Sequence, residues 1–317
     1  MATFENSIFT NDDLLQIENV LYSPREEELV ARRLLRLNTS YAPYAKEIGY
    51  DYYQKEGSAK ILGSGAGASD IPFVNEKGGR VTQKVYDIAT GIRWTKAERM
   101  ALAAKRALGK GPVVMDTLRV EAARRFILEK ENTLTFVGDA DYGILGLFDA
   151  SFYGTNLGTK ENVATGATGA DDAAKRLWSN KTAAEILKDI RVGVETLEST
   201  GLFTAKTLIL PPDKYNSLRR PYSDESPITI LDWIKTNYAF TSIIKSRIMS
   251  STYNGDTVNY FMLLDNSPDV VELAITQDIM LENPVYDIVG TMEQAVIESY
   301  GGVLFRHPSG AYIGKGI

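Results

Sequence analysis

The chain has 317 residues, 44% of them hydrophobic and 24% charged, which is the composition of an ordinary globular protein with a substantial core. Its 35 basic and 41 acidic side chains leave a net charge of −6, which argues against tight, general binding to nucleic acid. It has no cysteine, which excludes disulfides, thiolate metal sites and cysteine nucleophiles and fits folding in a reducing cytoplasm.

The N-terminal segment is predicted to be an arm followed by a helix. Residues 1–22 show no sustained periodicity, and neither a secretion signal nor a membrane span is expected there or elsewhere. Ser23, Pro24 and Glu26 make a good helix start with a capping box. The apolar residues that follow at helical spacing are Leu29, Val30, Leu34 and Leu37, with Arg32, Arg33 and Arg36 on much of the remaining surface. A surface helix and an arm helix packed on a neighbouring subunit explain this pattern equally well.

Residues 49–92 are predicted to form a long β-hairpin extension with glycine-rich turns. Short β-like runs are separated by a flexible stretch that forms the expected hairpin tip. That stretch contains Gly63, Ser64, Gly65, Ala66 and Gly67. It lacks the Lys-Ser or Lys-Thr of a phosphate-binding loop, so nucleotide binding is not expected. Because an isolated hairpin is at best marginally stable in water, this one is expected to lie on its own domain or on a neighbour.

Two helices are expected next. A capping box at Thr95 and Glu98 opens the first, which runs to about Leu108. A long helix then begins near Gly111 and leads into a turn rich in Gly and Asp that ends at Phe148. The predicted apolar stripe of the long helix contains Val114, Met115, Leu118, Ala122, Phe126 and Ile127. Its basic residues, which are Arg119, Arg124, Arg125 and Lys130, fit a solvated face better than a partner-binding one.

Candidate catalytic or metal-binding residues are few. The single histidine, His307, stands before a proline where a strand meets a turn, and a polar turn residue is the favoured interpretation. Asp139 and Asp141 resemble the start of a calcium loop, but the positions that should hold its further ligands do not. With the pair Asp171 and Asp172, they leave a metal-dependent enzyme as a distant third hypothesis. No cofactor or metal is expected.

The C-terminal half combines helices with a late block of strands, which makes the fold class α+β. Thr182 and Glu185 form a capping box for a helix that ends at Gly201. A buried strand at 206–210 is followed by two prolines and a short helix, and Ser226-Pro227 is expected to open another helix up to Asn237. The predicted late strands are 243–249, 258–264, 270–275, 293–300, 303–306 and 311–314. Asn254-Gly255 is expected to be a hairpin turn between the first two.

Taken in order, these elements resemble the major capsid protein of tailed bacteriophages, whose shell fold is shared with encapsulins. The resemblance covers nearly the whole chain and depends on the order and spacing of segments more than on a strict motif. The most telling segments are Thr95–Met100, Gly138–Phe148, Leu208–Leu218 and the strand–turn–strand ending at 306–316.

The resemblance implies a phage-capsid-type fold with four parts. These are an N-terminal arm (1–48), an extended hairpin loop (49–92), a peripheral domain with a long spine helix (93–148 and 283–305), and an axial domain (149–282 and 306–317). It further implies a structural protein, not an enzyme, that assembles in the host cytoplasm into hexamers and pentamers of an icosahedral shell around double-stranded DNA. The hairpin tip would then contact a neighbouring subunit in the virion capsid.

The same resemblance implies separate scaffolding, portal and cement proteins as partners, with non-specific contact to packaged DNA and none to a membrane. Since Met1 leads directly into the arm, either any scaffold is expected to be a separate protein or the shell is expected to need none. Some relatives cross-link a hairpin lysine to a distant asparagine, but no motif marks one here and surface lysines are favoured. The available hairpin lysines are Lys55, Lys60, Lys77 and Lys84. An encapsulin-like shell that encloses a cargo enzyme is the alternative function.

Overall fold

The computed structural model describes residues 27–61, 71–107, 114–155, 157–223 and 226–317. The described α-helices are α1 (Ala31–Leu34), α2 (Lys96–Ala107), α3 (Val114–Phe136), α4 (Asp172–Arg176), α5 (Ala183–Glu198), α6 (Pro212–Ser217) and α7 (Ile230–Asn237). The first eight strands are β1 (Arg36–Asn38), β2 (Glu47–Glu56), β3 (Asn75–Lys84), β4 (Tyr86–Trp94), β5 (Gly138–Asp139), β6 (Ile144–Leu145), β7 (Thr159–Asn162) and β8 (Thr207–Leu210). The others are β9 (Pro221–Ser223), β10 (Ser226–Thr229), β11 (Ser242–Lys245), β12 (Tyr260–Leu264), β13 (Val271–Leu281), β14 (Val285–Tyr286), β15 (Met292–Phe305) and β16 (Ala311–Lys315).

The first sheet, here called the peripheral sheet, is built around the long strand β15. β13 and β14 pair antiparallel with one edge of β15, and β4 pairs antiparallel with the other edge over nine residues. β1 adds a parallel strand beside β13. Helix α3 packs on one face of this sheet, where Ala123, Ile127 and Val296 lie in a small core with two residues of β4, Ile92 and Trp94.

Helix α3, the spine helix, ends in a tight turn that returns the chain toward its own last residues. After Phe136, the amides of Leu147 and Phe148 donate to the carbonyls of Thr135 and Phe136. Gly138 has a φ of +78°, a left-handed conformation that glycine adopts without a steric penalty. The chain therefore leaves the helix in a direction set by backbone hydrogen bonds.

The second sheet, the axial sheet, has the strand order β11-β8-β12-β16-β7. Its central strands are buried on both faces. On β12, Phe261 and Leu263 face the core formed with helices α5 and α7, while Tyr260, Met262 and Leu264 face the core shared with the peripheral sheet. The alternation follows from the two-residue period of a strand.

Local structure departs from the sequence prediction at several places; for example, the strands expected at 293–300 and 303–306 are one continuous strand, β15. Helix α1 is a single turn, and the chain continues as strand β1 because residues 36–38 pair with β13. The helix expected to follow Ser226-Pro227 from Ile228 begins instead at Ile230, since residues 226–229 pair with β9 and Thr229 is the N-cap. The hairpin expected at Asn254-Gly255 is wrong: β12 pairs with β8 and β16, not with β11.

The apolar stripe predicted on the long helix is also only partly correct. Ile127 is buried, but Phe126 is 62% exposed and Ala122 is exposed as well. The inward face carries Ala123 and Leu134, and it includes two buried polar side chains, Glu131 and Asn132. A purely apolar criterion therefore misplaced the face, because polar residues occupy part of it.

Candidate assembly interface

Strands β2 and β3 form a regular antiparallel hairpin of ten residue pairs, from Glu47 opposite Lys84 to Glu56 opposite Asn75. Its root is held by the domain: Ile48 is buried against Ala274 and Leu304. The contact is close, since a Cβ on Gly301 would lie 2.6 Å from the Cδ1 of Ile48. The hairpin therefore leaves the peripheral sheet at a fixed position.

Beyond the root, the hairpin carries large apolar side chains that its own subunit leaves exposed. We call residues 51–61 and 71–80 the outer hairpin. Its exposed members are Tyr52 (51%), Tyr53 (68%), Ile61 (96%), Ile71 (47%), Phe73 (80%) and Val74 (68%). Arg80 holds Asp51 across the strands by two hydrogen bonds, of 2.6 and 2.9 Å, so the strand pairing continues into this exposed part. Tyr52 and Tyr53 belong to the paired strands, and the other four lie beyond the last pair, Glu56 and Asn75. Several exposed aromatic and aliphatic side chains on one extension are typical of an interaction surface.

A second exposed surface, besides the outer hairpin, lies on the face of the peripheral sheet opposite the spine helix. Asp87, Ala89, Gly91 and Arg93 of β4 are exposed there, beside Glu293, Ala295 and Ile297 of β15. We call these seven residues the bare face. A Cβ added at Gly91 would meet no atom within 4 Å. Its middle consists of small residues, so another backbone can approach the sheet closely.

The far end of the peripheral sheet is an exposed turn with apolar residues on it. Val285, Tyr286, Ile288 and Val289 are all more than half exposed, and Ile288 is completely so. Helix α2 supports this turn, because Arg99 donates to the carbonyl of Gly290 at 2.9 Å and its guanidinium lies 4.6 Å from the ring of Tyr286.

Helix α2 is joined to the spine helix by an acidic cap. The carboxylate of Glu98 accepts from the backbone amide of Thr95 at 2.9 Å and from Arg119 at 2.7 Å. The hydrogen bond from Arg119, followed by those from Thr95, lowers the pKa of Glu98 to about 2. The capping box predicted from the sequence is present, and it also contacts a second helix.

The N-terminal arm is attached to the spine helix through two neighbouring residues. The Oδ1 of Asn132, a buried side chain, accepts from the backbone amides of Val30 and Ala31 at 3.1 and 3.0 Å. Beside it, Arg32 donates to the buried carboxylate of Glu131. Helical spacing predicted Arg32 on the surface, and no local pattern pointed to Glu131, which lies 99 positions away in the chain.

Most residues singled out from the sequence serve local structure. The tip residues Gly63, Ser64, Gly65, Ala66 and Gly67 lie outside the described residues, so their predicted contact remains a prediction. His307 is exposed, precedes a single 3-10 turn and lies 6.1 Å from the ring of Phe203. Asp139 accepts from the amide of Asp141 and pairs with Lys130, and Asp171 caps α4.

The hairpin lysines occupy ordinary surface positions. Lys77 forms an exposed ion pair with Glu56 at 2.6 Å, and the ammonium of Lys55 lies 5.8 Å from the ring of Tyr53. Lys84 stands opposite Glu47 at the root of the hairpin. Within the described ranges, no cluster of three or more His, Asp or Glu side chains is arranged to hold a metal ion. No helix in this part of the chain is long and apolar enough to cross a membrane.

Known proteins have the same fold as this chain. A family model described as major capsid protein matches residues 57–317. The chain shares its fold with the capsid of Myoviridae phage XM1, with a TM-score of 0.76, 14% identity and coverage of 99% of this chain and 100% of that one. It is also similar to the capsid of an empty GTA particle (TM-score 0.66, 11% identity, coverage 98% and 99%). A virus-like particle from Pyrococcus furiosus is similar too (0.51, 13%, 89% and 90%). No curated protein matches the sequence.

Proposed function

The chain belongs to the major capsid protein family, and we propose that its copies join by laying the outer hairpin of one subunit on the bare face of the next. As a member of that family it is a structural shell protein, a component of a virion capsid built from many copies. The proposal identifies which surfaces of this chain form one contact between those copies.

One observation carries the proposal: the paired strands of the outer hairpin, and the segments just beyond their last pair, leave large apolar side chains exposed. Phe73 is 80% exposed and Tyr53 is 68% exposed. Burying about 100 Å² of apolar surface contributes roughly 2.5 kcal/mol, so several such side chains favour a partner surface over water. The small residues of the bare face suit that role, because a flat surface lets a second hairpin backbone come close. Contact areas repeated around a ring then add up across many subunits.

Contacts between two different surfaces of the same protein generate closed rings when the rotation closes. We therefore propose hexameric and pentameric rings that form an icosahedral shell around double-stranded DNA, assembled in the host cytoplasm. The net charge of −6 agrees with a shell that does not hold its DNA tightly. Separate scaffolding, portal and cement proteins would be its partners.

A shortened hairpin tests the proposed contact on the subunit that supplies the hairpin. Glu56 and Asn75 are directly paired, so residues 57–74 can be replaced by Asn-Gly, which closes a two-residue turn at that point. We expect a folded subunit with an unchanged circular dichroism spectrum that no longer forms rings or megadalton particles by light scattering and negative-stain microscopy. Particles of normal size from the shortened chain would overturn the proposed contact.

The acceptor surface is tested by Gly91→Gln. Space at Gly91 is open, so the monomer should fold, but the added side chain occupies the surface on which the hairpin would lie. Leu202→Ser is the control, because Leu202 is 77% exposed, follows helix α5 and belongs to neither surface. We expect Gly91→Gln to reduce assembly and the control to leave it unchanged. Equal yields of particles would contradict the assignment of the bare face.

An encapsulin-like shell around a cargo enzyme makes a different prediction about content. Particles purified from the natural source should contain nuclease-protected double-stranded DNA if the proposal holds. A folded enzyme in place of DNA would favour the alternative. This outcome is independent of the hairpin contact, which both kinds of shell would need.

A further inference from the structure

Three carboxylates meet one guanidinium where the N-terminal arm reaches the body of the subunit. The Nη2 of Arg32 lies 2.7 Å from Glu131 Oε2, 2.5 Å from Glu298 Oε1 and 2.9 Å from Asp278 Oδ1. Its Nε also donates to both oxygens of Glu131, at 3.1 and 2.8 Å. The four residues come from α1, the spine helix, β13 and β15, so the cluster joins the arm to three other elements.

The charges of this cluster do not balance. The side chains of Glu131 and Glu298 are 1% and 0% exposed, whereas that of Asp278 is 51% exposed and remains in contact with water. Two buried carboxylates therefore depend on one guanidinium. Two close carboxylates at a shared buried site do not both ionise readily, because their charges repel and both lose hydration.

The two carboxylate oxygens of Glu298 differ in their hydrogen bonds, and this difference indicates which of them carries a proton. Oε1 accepts from Arg32, but Oε2 is buried and has no donor. Both oxygens of Glu131 accept from Arg32, so neither of them lacks a donor. A buried acceptor without a donor is destabilising, whereas a protonated Oε2 is itself a donor, and Glu131 binds the same guanidinium nitrogen as Glu298.

We propose that Glu298 carries a proton on Oε2 and donates it in a hydrogen bond to Glu131, and that this shared proton fastens the N-terminal arm to the spine helix. The arm has a second attachment at this point of the spine helix. The side chain of Asn132, the next residue after Glu131, accepts hydrogen bonds from the amides of Val30 and Ala31. A second negative charge under Arg32 would weaken the packing of α1 against both the spine helix and β15.

The surroundings of Glu298 agree with a stored proton. Burial, followed by the neighbouring charge and hydrogen bond of Glu131, raises the pKa of Glu298 to about 9. The charged and titratable groups that face the cluster are Arg32 from α1, Glu131 and Arg124 from the spine helix, Asp278 from β13, and Tyr300 from β15. On β4, Ile88 stands opposite Glu298, and Asp87 accepts from the hydroxyl of Ser299. In the described part of the chain, Arg32 is the cation that bonds to Glu298.

The sign of the pH effect follows from the raised pKa. Between about 4.5 and about 9, the folded subunit holds a proton that the unfolded chain has released. Stability therefore falls as pH rises through this window and levels off above it. The subunit should hold its arm most firmly on the acidic side of neutrality and release it more readily in alkaline solution.

Glu298→Gln tests the proton, since the amide donates where the protonated carboxyl would. The melting temperature of Glu298→Gln should exceed that of the wild type by an amount that grows with pH, by roughly 2 °C per unit between pH 5 and 9. The amides of Val30 and Ala31 should exchange hydrogen faster in the wild type than in the variant at pH 9. Glu195→Gln is the control, because Glu195 is exposed on helix α5 and pairs with Arg191; its melting-temperature difference from the wild type should not grow with pH.

A second measurement does not depend on any variant. With ¹³C-labelled glutamate, the infrared spectrum of the folded wild-type subunit at pH 7 should contain the band of a protonated carboxyl, which disappears on unfolding. Absence of that band would overturn the proposal, as would a melting-temperature difference between Glu298→Gln and the wild type that is constant with pH.

Discussion

The turn that follows the spine helix permits a sharp test with Gly146→Ala. A Cβ at Gly146 would lie 2.4 Å from the nitrogen of Gly138, 2.5 Å from the carbonyl carbon of Val137 and 2.6 Å from the carbonyl oxygen of Phe136. All three are backbone atoms, so no side chain can rotate away to make room. The strand must move, and the nearest bonds are those that Leu147 and Phe148 donate back to the helix, both 2.8 Å long.

The expected cost follows from these two effects. Forcing extra volume into a packed site costs about 1–3 kcal/mol, and each weakened backbone hydrogen bond adds about 0.5–1.5 kcal/mol. Because two such bonds are affected, we expect Gly146→Ala to lower the free energy of unfolding by about 2–6 kcal/mol. Equilibrium urea unfolding of the unassembled subunit at low concentration, followed by circular dichroism, measures this difference.

Gly91→Ala is the matched control for the same substitution. Gly91 lies within a strand and has open space around its Cα, so the added methyl group should be neutral or stabilising by up to about 1 kcal/mol. A steric clash at Gly146 is refuted if the free energy of unfolding of Gly146→Ala lies within about 1 kcal/mol of the wild-type value. It is also refuted if Gly91→Ala lowers that free energy as much as Gly146→Ala does.

Three further predictions concern the arm, the axial core and acid stability. Asn132→Ala leaves two buried backbone amides without an acceptor, which should cost about 2–4 kcal/mol and speed hydrogen exchange in α1; unchanged exchange would contradict the anchor. Asp189→Asn removes the counter-charge 2.5 Å from the buried ammonium of Lys181 and should lower the free energy of urea unfolding by about 3–5 kcal/mol, whereas a loss below 1 kcal/mol would contradict that pairing. Glu98 has a lowered pKa, so its contribution is complete above about pH 4.5 and is lost as pH falls toward 2; Glu98→Gln should flatten the acid limb of a melting-temperature profile, and an unchanged limb would argue against the cap.

The peripheral sheet holds the exposed surfaces in fixed positions. The arm, the outer hairpin and the far turn of the peripheral sheet all attach to β15 or to elements packed on it. A rigid sheet with the spine helix on one face holds these attachments at set distances from one another. A change at the root of the arm, such as loss of the proton at Glu298, would therefore act close to the surface on which we propose a neighbour lies.

Helix caps and turns could be predicted from the sequence because they form between residues a few positions apart. The capping boxes at Thr95 and Thr182 are present as predicted, since each joins a side chain to a backbone three residues later. The long hairpin and the order of its flanking elements were also predictable, and with them the family. Gly255 has the positive φ, +76°, that favours glycine, but Asn254-Gly255 does not join two paired strands, so the hairpin predicted there is wrong.

Only the tertiary structure decided which distant elements meet. Strand β12 lies between β8 and β16, although the turn before it suggested pairing with β11, because burial on both faces favours the centre of the sheet. Arg32 belongs to a buried cluster with Glu131 and Glu298, which are 99 and 266 positions away, and no local pattern brings such residues together. The sequence by itself determined caps, turns and element order, because these depend on neighbours in the chain. Strand order and the partners of buried charges depend on packing across the whole fold.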